Sequence, residues 1–263
     1  MFTPMNFLGA TALLTSFAVC VAISAGLRER PVSSRRFWLC LFAVLSLPAL
    51  SVGVYYLHIF PDRAWFFTLR SWTGSEFLLL FLGAAAGAAA SLVPRPLRGI
   101  PLFILLSCGA VPYIKPLVQP LPDGIFKNDA RGDICLQSTI STCGPASVAT
   151  ILHRLGVPAE EGVIARAAYS SSSGTEAWYL ARYIRNRGLS ARFDFRPDFT
   201  PEVGLPALVG VNLGGTGHFI AVLDFRDDQV DFADPLRGEA HLSLADFQRA
   251  YDFTGFHLVV RAR

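Results

Sequence analysis

Residues 135–156 read CLQSTISTCGPASVATILHRLG, and the reading of this stretch decides how the second half of the chain folds. Ser141 or Thr142 can cap a helix, Pro145 suits its first turn, and Val148, Ile151, Leu152 and Leu155 recur at i, i+3, i+4 and i+7 before Gly156 stops it. The segment predicts a helix buried along one side, with Cys143 at its start. Unpaired amide N–H groups and the macrodipole at that end favour a thiolate, the form that attacks carbonyls. Gln137, six residues earlier, carries a side-chain amide. With the backbone N–H of Cys143 it would make a pair of donors for the oxyanion of an acyl-transfer intermediate. A small buried cysteine in a capped loop is the plainer reading of the same residues, because cysteine packs as a small apolar side chain.

A thiol nucleophile needs a base within hydrogen-bond reach and a third group to orient that base. The chain has five histidines. His58 lies in an apolar run, and His153 is ten residues along the helix from Cys143, ~15 Å up its axis, so both read as structural. His241 and His257 sit in or near strand-like segments without a glycine-rich opening. His218 follows Gly214, Gly215, Thr216 and Gly217, which would allow close approach of backbone or substrate, and it begins the strand HFIAVLDF. Residues 226–229 then turn the chain back into VDFADP, where Asp234 is the natural orienting acid. A turn centred on Asp227 pairs Ile220 with Asp234 and puts His218 diagonally on the same face. A centre half a residue later puts the acid on the opposite face, so the pair demands an odd-length loop or a bulge. Asp224, Asp228 and Asp231 read as solvated turn or strand-end residues.

Around these residues the pattern is that of an α+β domain, helices first and strands later. Helical signals cover 158–169 and 175–187, strand signals cover 189–195, 207–213, 218–225, 230–234 and 256–261, and a short helix is predicted over 244–251. There is no G-x-x-x-x-G-K-[ST] loop, so ATP is not an expected partner. A net charge of +3 is too small to argue for nucleic acid. No metal or other cofactor is expected.

The first half is different in kind. The chain is 52% hydrophobic and only 16% charged, and the apolar excess lies before Lys115. Phe7–Leu27 is an uncharged run long enough to cross a hydrocarbon core of ~30 Å. Residues 37–59 and 77–93 make a second and third span, the third with Trp65 and Trp72 near its outer end and a small-residue stripe of Gly83, Gly87 and Ser91 for helix contact. Residues 100–114 make a short fourth span ending at Lys115. Residues 1–116 thus form a membrane domain with four predicted transmembrane helices in a lipid bilayer, 117–132 a proline- and glycine-bearing linker, and 133–263 the α+β domain. Arg28, Arg30, Arg35 and Arg36 in the first loop and Arg95 and Arg98 in the third make those loops cytoplasmic. The second loop holds only Arg63 and Arg70. Four spans then leave the C-terminal domain extracytoplasmic, whereas three would reverse that.

Gln137, CGPA from Cys143, GHFIAV from Gly217 and ADP from Ala233 stand in an order and spacing that resembles the papain-like cysteine peptidases of family thirty-nine, the double-glycine leader peptidases of bacteriocin exporters. The resemblance runs from about Asp133 to Arg261. It implies a papain-like fold, Cys143 as nucleophile, His218 as general base and acid, Asp234 as orienter and Gln137 as oxyanion donor. Exporter peptidases have an acid before the cysteine where this chain has Thr142, and they stand N-terminal to an ATP-driven transporter. The expectation is a membrane-anchored cysteine endopeptidase of a bacterial plasma membrane, cleaving a peptide or protein through a thioester. An amidase or transacylase with the same residues, and a peptide-binding domain without catalysis, are the alternatives. Cys135, eight residues before Cys143, reads as a buried residue or as a partner for a reversible disulfide with Cys143.

Overall fold

Uncharged apolar runs become the long helices of the chain: α1 (Phe7–Leu27), α2 (Val32–Tyr56) and α4 (Leu79–Leu92), the last preceded by a 3-10 turn, Ser75–Leu78. The computed structural model describes residues 5–59, 61–122, 124–127 and 129–263. Three helical segments, Phe7–Leu27, Val32–Tyr56 and Ser75–Leu92, are long and apolar enough to cross a membrane. The expected fourth span is instead two shorter helices, α5 (Gly99–Gly109) and α6 (Val111–Val118).

Met5–Asp62 and Thr73–Lys115 make one compact unit. The glycine stripe does what its spacing suggests. A Cβ on Gly83 would lie 2.3 Å from the Ser16 carbonyl oxygen and one on Gly87 2.4 Å from that of Cys20, so α4 rides directly on the α1 backbone. Ser16 Oγ donates to the Leu79 carbonyl at 2.6 Å. Arg35 folds over the first loop, donating to the carbonyls of Arg30 and Arg28, and also reaches the Ser91 carbonyl near the end of α4 at 2.9 Å. The first and third loops therefore share one end of this bundle.

The second unit is Pro116–Arg263 together with Arg63–Trp72. The division at Lys115 and Pro116 lies beside the boundary expected after residue 116, and residues 63–72 join the second unit because the second loop holds a helix, α3 (Ala64–Ser71), that packs into the core of the C-terminal domain. Phe67 is buried with its ring centroid 5.3–6.0 Å from those of Phe195, Phe193, Phe256 and Trp178. Arg70 is buried too, its guanidinium over the Trp178 ring, so it is not the solvated loop charge it resembles in sequence. The carbonyls that end α3 would lack intrahelical donors. Arg182 supplies them, reaching those of Arg70 at 3.0 Å and Trp72 at 2.8 Å. Phe67→Ala is expected to cost roughly 3–5 kcal/mol of stability, the range for aromatic-to-alanine changes in a packed core. Thermal unfolding of the detergent-solubilised full chain measures it.

Residues of the expected linker pack within the same unit. Phe126 lies against Gly162, Arg166 stacks over its ring, and Gln119 accepts from the Ser172 N–H at 2.9 Å. Asp123 and Asn128, also in that linker, lie outside the described residues. A short hairpin of β1 (Ala130–Arg131) and β2 (Ile134–Cys135) follows.

Then come α7 (Cys143–Arg154), α8 (Glu161–Ala167) and α9 (Ala177–Asn186), before β3 (Ser190–Phe195), β4 (Ala207–Leu213), β5 (Thr216–Arg226), β6 (Gln229–Asp234), β7 (Gly238–Ser243), α10 (Leu244–Ala250) and β8 (Asp252–Arg261). The six longer strands form one antiparallel sheet in the order β3-β8-β4-β5-β6-β7. Alternation along β5 divides its residues between two layers. Ile220 and Val222 join a cluster with Phe199, Phe247 and Tyr251, whereas Phe219 meets α7 at Gly144.

Candidate active site

Cys143 is the first residue of α7, and Gly144 lets that first turn close on its neighbours: a Cβ there would sit 2.9 Å from Leu180 and 3.3 Å from Phe219. Ser147 Oγ, one turn on, donates to the Phe219 carbonyl at 3.1 Å. Thr142 takes the N-cap position, but its hydroxyl does not cap the helix. That hydroxyl donates instead to the Thr139 carbonyl at 3.0 Å and accepts from the Thr139 N–H at 3.1 Å. The amides at the start of α7 are thus left without a side-chain acceptor, the condition an anion-binding helix start requires.

The glycines ahead of His218 build a tight hairpin. Gly214 and Gly215, at φ 57° and 82°, form the two-residue turn between Leu213 and Thr216, a conformation that favours glycine. The β5–β6 turn is Asp227–Asp228, both at positive φ. It pairs Arg226 with Gln229 and Asp224 with Asp231, the register that would put Asp234 on the wrong face. A bulge at Leu223 then shifts the pairing so that Val222 faces Phe232 and Ala221 faces Ala233. The extra residue turns His218 and Asp234 to one face, and Asp234 Oδ1 lies 2.9 Å from His218 Nε2.

With Nε2 taken by Asp234, Nδ1 is the ring atom left for the Cys143 thiol, which lies close enough to raise the His218 pKa. Burial disfavours its charged form, but the bond to Asp234 and the adjacent Cys143 outweigh that and bring its pKa up to about 9. Asp234 is 1% exposed. Burial pushes its carboxyl up, and the His218 bond and the Leu236 N–H, donated to Oδ1 at 2.9 Å, hold it below the usual carboxylate range. Tyr251 Oη donates to Oδ2 at 3.4 Å; burial and the nearby carboxylate push that phenol up to about 12. Neither partner of Asp234 stands out in sequence, although an acid before Pro-Leu is a pattern for an Asx turn onto Leu236.

Gln137 is drawn to the same place through its backbone, whose N–H donates to the Pro235 carbonyl at 2.9 Å, the residue after Asp234. Its side-chain Nε2 donates to the Thr139 carbonyl at 2.7 Å. His218 and Asp234 are therefore joined directly, with Cys143 near the imidazole and Gln137 fastened to the same strand end.

The other titratable candidates lie elsewhere. His153 is bonded through both ring nitrogens to the carbonyls of Asp133 and Ala159. His241 pairs with Asp231 at 2.6 Å, and His257 is fully buried, its pKa lowered chiefly by that burial. Cys135 donates its backbone N–H to Thr150 Oγ1 at 3.0 Å, which sets it about two helical turns, ~10 Å, along α7 from Cys143. A disulfide bridges Cα atoms less than ~7 Å apart, so the Cys135–Cys143 bridge does not fit this arrangement.

The sequence profile of the Peptidase C39 family matches residues 131–263, half of the chain. The chain belongs to this family. This member of the Peptidase C39 family is a cysteine peptidase whose N-terminal half adds apolar, membrane-compatible helices to the peptidase domain. An uncharacterized protein of Methanothermobacter marburgensis is 34% identical over 127 residues, covering 48% of this chain and 87% of the relative. The probable functional amyloid protease FapD of Pseudomonas aeruginosa is 26% identical over 136 residues, covering 48% of this chain and 60% of the relative. Among solved structures, a double glycine motif protease from an AMS/PCAT transporter, in complex with the leader peptide, aligns over 52% of this chain and 96% of its own with a TM-score of 0.43 and 22% identity. The peptidase domain of Streptococcus ComA aligns over 49% and 96% with a TM-score of 0.42 and 19% identity.

Proposed function

We propose that Cys143, His218, Asp234 and Gln137 are the catalytic residues of a membrane-anchored endopeptidase acting at the extracytoplasmic face. The observation that carries the reading is the imidazole of His218, set beside Cys143 with its Nε2 held by the buried Asp234 carboxylate. The thiolate attacks the scissile carbonyl carbon, and the oxyanion is held by the Cys143 N–H and the Gln137 amide. Collapse breaks the C–N bond, with the imidazolium proton passing to the leaving amine, and gives a thioester on Cys143. Water, deprotonated by His218, then attacks the thioester carbonyl and releases the acid and the free thiolate. Incubation with an activated acyl donor such as p-nitrophenyl acetate should give a mass shift of one acyl group on the Cys143 peptide. A shift on any other residue would refute the nucleophile. Preferential capture by added amine over water would turn the reading to a transacylase.

Two features support the extracytoplasmic side. The arginines of the first and third loops gather at one end of the helical unit, where Arg35 ties the first loop to Ser91, and such loops favour the cytoplasm. The peptidase unit contains α3, which belongs to the second loop, so loop and peptidase share a side and the chain must cross an even number of times between them. α4 supplies one crossing. The return would have to be made by α5 and α6, the two short helices over residues 99–118. A reporter after Arg263 should therefore be extracytoplasmic, and so should a tag at Arg63. A cytoplasmic signal from Arg263 refutes the orientation, and opposite signals refute the shared side. The name of the Pseudomonas relative, an amyloid protease, supports a protein substrate.

A further inference from the structure

Outside the triad, Glu161, at the start of α8, is a fully buried acid of the peptidase unit. Both of its oxygens are spent on one residue. Oε1 accepts from the Ser138 N–H at 2.7 Å, and Oε2 accepts from the Ser138 hydroxyl. Ser138 Oγ also accepts from the Lys127 N–H at 2.8 Å. A buried carboxylate is costly unless fully hydrogen-bonded. Here that cost is offset by fastening the one peptide unit that follows Gln137. The peptide before it is fastened as well, by the Gln137 N–H to Pro235 bond beside Asp234. The loop from Gln137 to Cys143 is thus held at one end by the Asp234 strand and at the other by α7, with Glu161 gripping it between.

We propose that Glu161, acting through Ser138, is a positioning residue that sets the aim of the Gln137 amide at the oxyanion. This rests on Gln137 being an oxyanion donor. A donor contributes only if it lies at the distance the oxyanion will occupy, and an error of about 1 Å can cost on the order of 10²-fold in rate. Two hydrogen bonds from one rigid carboxylate fix both the position and the rotation of the 137–138 peptide.

The test compares two reactions of the same thiol in the full chain in detergent. Acylation by p-nitrophenyl acetate passes through an oxyanion, whereas alkylation by iodoacetamide does not. Glu161→Gln and Ser138→Ala are each expected to slow acylation by about 10- to 100-fold, with alkylation changed by less than about twofold. Gln137→Ala should slow acylation by about 10²- to 10³-fold, and adding either other substitution to it should cost nothing further, since the donor they aim is gone. Full acylation in both single variants, parallel loss of acylation and alkylation, or losses that multiply in full with that of Gln137→Ala would overturn the positioning role. If Gln137→Ala acylates like the unaltered chain, the oxyanion assignment itself falls.

Discussion

Cys143→Ala should reduce acylation and peptide cleavage to background, a loss on the order of 10⁶-fold if it matches removal of a nucleophile from other acyl-transfer triads. Cys135→Ala should leave both within about twofold. The two cysteines are eight residues apart and both buried, but their surroundings oppose each other. Cys143 begins α7 and lies beside the imidazole of His218. Burial and the Glu161 carboxylate push the Cys135 thiol up to about 12, which keeps it protonated and unreactive near neutral pH. Labelling with an electrophilic probe, followed by peptide mapping, distinguishes them: label on Cys135 in the Cys143→Ala protein would mean that the wrong thiol has been assigned. Mild oxidation should likewise yield no Cys135–Cys143 disulfide.

The residues of the site were legible in the sequence because each stands at a local signal. Cys143 precedes an amphipathic helix, His218 follows a glycine-rich turn, and Asp234 precedes Pro235. What joins them was legible only as a demand. The His218–Asp234 pair needed either an odd loop or a bulge, and the choice of a bulge at Leu223 depends on how β5 packs, which no window of residues around it encodes. Thr142 looked like a cap and is drawn into the Gln137 loop instead, since Thr139 lies within reach of its hydroxyl. α3 was hidden for a different reason. Its apolar residues, Phe66 and Phe67, read as part of a membrane-end loop, and the surface that buries them lies more than a hundred residues away on α9, β3 and β8. The packing of the linker was not legible for the same cause: prolines and glycines mark an irregular path, and they do not say whether that path is free or packed.

His218→Ala should slow cleavage nearly as severely as loss of Cys143, on the order of 10⁶-fold, and Asp234→Asn by about 10⁴-fold, the loss seen when an orienting acid becomes an amide. The pH dependence separates these from a collapse of the fold. With a pKa of about 9, against an ordinary value of ~6.5, His218 holds its proton through neutrality, ready for the leaving amine, and kcat should fall on the alkaline side near pH 9. A folded-state pKa raised in this way adds stability in full below pH ~6.5, and the contribution is lost as pH rises through about 9. Unfolding free energy should therefore decline over that window in the unaltered chain and decline less in His218→Ala. Asp234 has the opposite sign. Its lowered pKa adds stability above the ordinary carboxyl value of ~3.9, and that contribution disappears as pH falls through the depressed value. Alkylation of Cys143 near neutral pH should slow without His218, because the imidazole that takes the thiol proton and faces the thiolate is gone. Asp234→Asn should slow it less, since the imidazole remains and only its orientation and charge support are weakened. An alkylation rate with the same pH profile in the presence and absence of His218 would mean that the two side chains do not act as a pair, and a domain that binds peptides without cleaving them would then be the better account of this site.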